Sequence, residues 1–259
     1  MLALYKIAKR TLLAAVPPLL FFLMSCGSLE EAGTGMQSAA ASRDSGLYLF
    51  DYRQISIDTT SSVGARVKNC NIYLDIYGGL VVLGELENTS NTVKTDIEIT
   101  IDFEAAGQDI IHSALVPVKA EYLGKGAKCP FIYYYNDSEK YIELSSVRIG
   151  VNYRDHNYSF RGNPIARVEE YFYQDDHLVI KGSIKNIGEE KIKDLALLCT
   201  FYDNRDRVVF IKECYIPRDR MMPQEEQDFI LEMLLDDYLK DFAGFQFQVF
   251  FSDEIRVNV

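Results

Sequence analysis

From Lys94 to Phe103 the chain alternates strictly. Ile97, Ile99, Ile101 and Phe103 share one parity, and Asp96, Glu98, Thr100 and Asp102 share the other. A period of two held this long puts one face of a strand against a core and the other in water. The same stretch is written twice. Leu80–Phe103 recurs without a gap, ninety-eight residues on, as Leu178–Phe201, with Leu80, Val81, Gly84, Asn88, Asp96 and Phe103 falling on Leu178, Val179, Gly182, Asn186, Asp194 and Phe201. The inward set of the second copy becomes Leu195, Leu197, Cys199 and Phe201, so Cys199 takes the place of Ile101. On this pattern Asp102 and Thr200 are outward, solvated positions and the two phenylalanines are equivalent core plugs.

The register continues in both directions. Val118 meets Ile216, Leu123 meets Met221, Phe131-Ile132 meets Phe229-Ile230, and Val147, Ile149, Val151 and Tyr153 meet Phe245, Phe247, Val249 and Phe251. Upstream, Leu47–Ile57 reads as a strand and Asp58–Gly64 as a loop. Ile72–Tyr77 and Leu80–Leu86 are strands joined at Gly78-Gly79, a hairpin signal. The matching turn, Gln174–His177, keeps none of those residues, so His177 and its acidic neighbours read as solvated turn. Asn88 and Asn186 close the next strand, where the side chain bonds nearby backbone or the residue tolerates the left-handed region. Ser138–Leu144 and Leu235–Phe242 are the helix-like patches. Short alternating strands at regular spacing predict an all-β protein of two tandem immunoglobulin-like antiparallel β-sandwiches, residues 47–158 and 159–259. The segment Asn157–Pro164 holds the Gly and Pro of a boundary, so residues 161–259 are expected to fold alone.

The N-terminus is a targeting device. Lys6, Lys9 and Arg10 precede an apolar run, Leu12–Met24, that is too short to span roughly 30 Å of hydrocarbon. The tetrad Leu23-Met24-Ser25-Cys26 resembles the lipobox of bacterial lipoproteins. That resemblance implies a signal peptide over residues 1–25, cut before a diacylated Cys26 whose new amine is acylated in turn. An ordinary signal with a chance cysteine is the plain alternative. Several acyl chains give a stable anchor, at about 0.8 kcal/mol per buried methylene. Residues 26–46, built of Gly, Ser, Ala, Thr and Glu, form a flexible tether with an r.m.s. span of about 25 Å. Gly27 is not the aspartate that favours inner-membrane retention in enterobacterial lipoproteins, which points to the outer membrane where the host has one.

Charge narrows the partners. Loss of the signal removes three of 27 basic residues and none of 38 acidic ones, leaving 24 against 38, or about −14. Phosphates and anionic headgroups repel such a body, which argues against nucleic acid.

In the second copy, Leu178-Val-Ile-Lys-Gly-Ser-Ile-Lys-Asn186 followed by Phe201-Tyr202-Asp203-Asn204 resembles the FxLYD-type domains of bacterial lipoproteins. The first copy departs, with Phe103-Glu104-Ala105-Ala106 in place of Phe-Tyr-Asp. The resemblance implies an extracytoplasmic β-sandwich of unassigned role, with no catalytic residues to carry over.

Candidate chemistry is sparse. His112, His156 and His177 lie far apart, without a Cys or carboxylate at ligand spacing. Neither a phosphate loop nor a Gly-x-Ser-x-Gly elbow occurs. Asp203-Asn204-Arg205-Asp206 offers oxygens to Ca²⁺, but its hairpin context suits a plain turn. Asp96 and Asp194 are read as making a buried or capping hydrogen bond. In Tyr133-Tyr134-Tyr135 the middle ring points opposite its neighbours, a recognition surface or simple strand packing. Cys70 and Cys129 fall in one copy and Cys199 and Cys214 in the other, as one disulfide each or as free buried thiols. No metal and no cofactor is expected. The readings left standing are a membrane-anchored, non-catalytic module that binds other envelope proteins, a carrier of a small apolar ligand, and an envelope enzyme with an interdomain site. A polar interdomain cleft lined by titratable groups would favour the last.

Overall fold

A computed structural model describes residues 5–6, 50–51, 55–60, 62–75, 78–136, 143–157, 159–235 and 242–253. In chain order its strands are β1 (Tyr5–Lys6), β2 (Phe50–Asp51), β3 (Ser56–Thr59), β4 (Ala65–Leu74), β5 (Leu80–Asn88), β6 (Val93–Ala105), β7 (Ile110–Pro117) and β8 (Tyr122–Leu123). They continue as β9 (Lys128–Tyr135), β10 (Leu144–His156), β11 (Pro164–Gln174), β12 (His177–Asn186), β13 (Ile192–Tyr202), β14 (Val208–Cys214), β15 (Glu226–Leu234) and β16 (Gly244–Asp253). The all-β class holds. Of the helix-like patches, residues 138–142 and 236–241 lie outside the described residues, while Leu144 opens β10 and Phe242 lies two residues before β16.

Four sheets make two cores. Sheet β2-β4-β5-β9 faces sheet β3-β10-β6-β7, to which β8 adds beside β6, and sheet β11-β12-β15 faces sheet β1-β16-β13-β14. The repeat is structural throughout: β4, β5, β6, β7, β9 and β10 recur as β11 to β16 at the one sequence offset. Even the short pairing of β8, Lys94↔Leu123, has its partner in the isolated bridge Ile192↔Met221. All ladders are antiparallel except β3 on β10.

The same devices are installed twice. Phe103 and Phe201 are both fully buried, as the alternation requires. Asn88 sends its amide to Thr92 O (2.7 Å) and Leu123 O (2.8 Å) and accepts from Ser90 N (3.0 Å). Asn186 repeats this with Glu190 O (2.8 Å) and Gly188 N (3.1 Å). Each is fully buried and stitches three chain segments together, so a buried amide is satisfied on both ends.

Asp96 and Asp194 correct the reading above. Their side chains are exposed, and their φ angles are +48° and +54°. Each lies in a bulge: Asp96 within the Thr95–Glu98 step of β6, opposite Asn152–Arg154 of β10, and Asp194 within the Lys193–Ala196 step of β13, opposite Phe250–Ser252 of β16. Aspartate is retained because it enters the left-handed region more cheaply than most residues. The inserted residue also flips the strand's phase, which turns Lys94 and Ile192 inward. Lys94 is buried, yet its ammonium sits 4.3 Å above the Tyr153 ring and pairs with Asp155.

The Gly78-Gly79 hairpin is longer than two residues. Asp75 closes it, its amide donating to Gly79 O (2.8 Å) and its carboxylate accepting from Gly79 N (2.7 Å). In the second copy Asp175 and Asp176 take φ values of +47° and +63°, the tight turn that joins β11 to β12.

Candidate functional site

The uninterrupted apolar run of β5 has a consequence that alternation elsewhere hides. Leu80, Val82 and Leu86 enter the first core, while Val81 and Leu83 point out of the sandwich and are equally buried. Together with Tyr73 they meet Tyr202 and Val208 of the second copy. The outer face of sheet β2-β4-β5-β9 is therefore covered by the outer face of sheet β1-β16-β13-β14. Thr200, expected in water, is fully buried there, as are Gln246 and Gln248. Its hydroxyl lies 2.9 Å from the Gln248 amide.

A carboxylate sits at the centre of this junction. Glu85 is fully buried, accepts from Tyr202 Oη at 2.6 Å and from Asn69 Nδ2 at 2.7 Å, and has Lys128 Nζ at 3.9 Å. A buried carboxylate is tolerable only with such partners. Burial first, and Glu85 second, push the Tyr202 phenol far up, so it stays protonated and donates. Rim contacts add Lys119–Glu213 (2.9 Å) and Ser252 Oγ to Glu121 (2.9 Å).

Beside the junction lies a cleft of about 710 Å³. The first sandwich gives it Asp96, Glu121, Tyr122 and His156, and the second gives Lys193, Arg220 and Asp253. The walls carry opposite charge, so the space suits a polar ligand. Its carboxylates are nevertheless committed. Asp253 accepts from the linker amides of Arg161 (2.8 Å) and Gly162 (2.9 Å). Glu121 holds Ser252 and helps burial raise the Tyr122 phenol, and Asp96 pairs with Arg154 at 3.3 Å. Among the described residues no three His, Cys, Asp or Glu side chains are grouped to hold a metal ion. The linker thus packs as structure, with Phe160 against Phe251 and Tyr122 at centroid distances of 5.2 and 5.9 Å.

The residues singled out from sequence scatter. Cys26, like the rest of the signal and tether apart from Tyr5–Lys6, lies outside the described residues. His112 stacks on Tyr135 at 4.5 Å and bonds the Tyr133 hydroxyl at 2.7 Å, closing one edge of the first sandwich. Tyr134 points the other way and is half exposed, at the rim of the junction. His156 reaches the cleft, and His177 Nδ1 lies 2.9 Å from Asp175 O within its turn. Asp203 caps a plain turn, accepting from Arg205 N and Arg207 N, both at 2.9 Å. Cys70, Cys129, Cys199 and Cys214 are free thiols. Burial pushes Cys70 and Cys129 up to about 12 and Cys214 to about 11, which keeps them protonated and inert at neutral pH. Sequence reasoning missed Glu85 and Tyr202. The one available signal was the apolar run around Glu85, too continuous for a strand with a wet face.

No family model and no curated protein matches the chain. Among solved structures, red sea bream transglutaminase is 9% identical over 73% of this chain and 30% of its own, with a TM-score of 0.22. The exo-chitosanase CsxA of Amycolatopsis orientalis is 11% identical over 73% of this chain and 26% of its own, with a TM-score of 0.27. A tandem CBM22 domain of Paenibacillus barcinonensis Xyn10C is 9% identical over 77% of this chain and 89% of its own, with a TM-score of 0.14. The chain spans less than a third of the first two. Likeness at this level carries no functional inference.

Proposed function

We propose that this chain is a lipid-anchored extracytoplasmic lipoprotein whose two sandwiches act as one non-catalytic interaction or structural module of the cell envelope. Cys26 carries the acyl chains, residues 26–46 tether the body, and other envelope proteins are its partners. The observation that carries the non-catalytic part is the use made of polar groups. Glu85, Glu121 and Asp253 are all spent on joining one copy to the other or to the linker. The address rests on the basic n-region, the apolar run and the tetrad ending in Cys26.

The charged cleft favours a second reading, an envelope protein with a polar ligand or substrate between its sandwiches. Both readings share the anchor, so it is tested first. Cys26→Ala is expected to leave an uncleaved precursor that takes up no fatty-acid probe. Label on the alanine variant would overturn the assignment.

A further inference from the structure

The two copies differ at one edge. In the first sandwich β3 lies parallel to β10, with Ser146↔Ser56 through Ile149↔Thr59 in register, and Thr60 N extends the ladder to Ile149 O at 2.9 Å. Ile57 of β3 packs on the core beneath. The equivalent edge of the second sandwich is Gly244–Phe247 of β16. Among the described residues it is met by β1 alone, through Tyr5↔Phe245 and Lys6↔Gly244. Those two residues belong to the segment read as a cleaved signal, so once it is removed no described residue covers the edge.

Side-chain burial records the missing strand. Val147 and Ile149 of β10 are fully buried, whereas Phe247, the counterpart of Ile149, is partly exposed although it points into the core, 4.9 Å from the Phe229 ring. Val249 and its counterpart Val151 are both partly exposed, so the difference is confined to Phe247. Meanwhile the outward Gln246 and Gln248 of the same strand are buried by the first sandwich. A core-facing aromatic that is wetter than its outward neighbours leaves apolar surface exposed beside the edge of β16, which among the described residues has no strand partner on that side once β1 is removed. Open edges of this kind pair readily with another chain.

We infer that β16 takes up an extended segment of a partner protein, in the place that β3 fills in the first sandwich. The ligand chemistry follows from β3 and the residue before it: aliphatic side chains at alternate positions, Ile55 and Ile57, on the core, separated by Ser56. Main-chain bonds to β16 supply affinity, and the exposed apolar surface of Phe247 selects the alternate apolar residues. This rests on removal of residues 1–25, as proposed above.

The probe is a fluorescent nonapeptide with the sequence of residues 53–61, titrated against detergent-solubilised mature protein whose N-terminus has been fixed by mass spectrometry. The expected result is saturable binding, with slowed amide exchange confined to residues 244–249. Replacing both isoleucines of the peptide by Asp should weaken binding at least tenfold, as should Phe247→Lys in the protein. If that variant does not fold, the exchange map of the wild type decides. Equal binding of the Asp peptide, or protection elsewhere, would overturn the proposal. So would a concentration-dependent dimer that protects residues 244–249 and that the peptide fails to displace, since the occupant would then be a second copy. A mature chain that still begins at Met1 would instead sink the anchor reading, a separate failure.

Discussion

Tyr202 of β13 donates its phenolic hydrogen to Glu85 of β5 at 2.6 Å, across the junction of the two copies. The repeat does not duplicate this bond: Glu104 stands where Tyr202 would, and Ser183 where Glu85 would. Glu104 pairs instead with Arg148 on its own sheet, and Ser183 donates to Glu226 at 2.8 Å. The bond was therefore built for this one interface. Tyr202→Phe keeps the ring among Tyr73, Val81 and Leu83 but takes a donor from a buried carboxylate. A loss of about 1–3 kcal/mol is expected by denaturant unfolding. No change in midpoint would mean that the junction is not closed as described.

The interior plugs should be costlier. Phe103→Ala and Phe201→Ala each empty a fully buried site and are expected to lose about 3–5 kcal/mol. The polar parity then splits in two. Asp102 is partly exposed rather than fully solvated, bonded by Ser113 and near Arg148, and Asp102→Ala should cost about 0.5 kcal/mol. Thr200→Ala should cost about 1 kcal/mol, because its hydroxyl is buried against Gln248. Calorimetry that ranked Thr200 with Asp102 would contradict the shared face.

That split shows how far the sequence could be read. Alternation and the repeat placed the strands that recur between the copies and the two phenylalanines, since each copy's core is a local, periodic property; the parallel β3 edge was not legible, and Asp58 and Thr59, read as loop, belong to it. Which outward face is wet is a relation between copies, and no period encodes it. The Asp96 and Asp194 bulges were hidden for another reason. One inserted residue leaves the composition unchanged and shows only in the backbone angle, so a bulge aspartate reads like a buried one. Of the candidate site, the titratable groups of the cleft were visible as residues but not as neighbours.

Two glycines should answer alike. A Cβ on Gly84 would lie 2.6 Å from Phe131 Cζ, and one on Gly182 2.7 Å from Phe229 Cζ. Gly182 would also meet the Arg167 carbonyl at 2.2 Å, where backbone cannot yield as a ring can. Gly84→Ala is expected to cost about 1–3 kcal/mol by overpacking, and Gly182→Ala more. Thermal melts of the pair that came out in the opposite order would argue against equivalent ring-over-glycine packing.

Acid should loosen the first sandwich through Asp155. Its hydrogen bonds from Lys94 and then Thr92 hold the carboxyl below its usual range. The unfolded chain therefore binds the proton more readily, and the pair's contribution is present above the unfolded value, about 3.9, and fades as pH falls through the native one. Melting temperatures taken from pH 6 down to pH 2 should fall more gently for Asp155→Asn than for the natural chain. Parallel curves would show that the pair does not differ between folded and unfolded states.

The proposed address hangs on Cys26, so the most direct measurement is the mass of the N-terminal peptide of the mature protein taken from cell envelopes. The account predicts a peptide that begins at Cys26 and carries a thioether-linked diacylglycerol with an acylated amine. A chain that begins at any other residue, or at an unmodified Cys26, would contradict it.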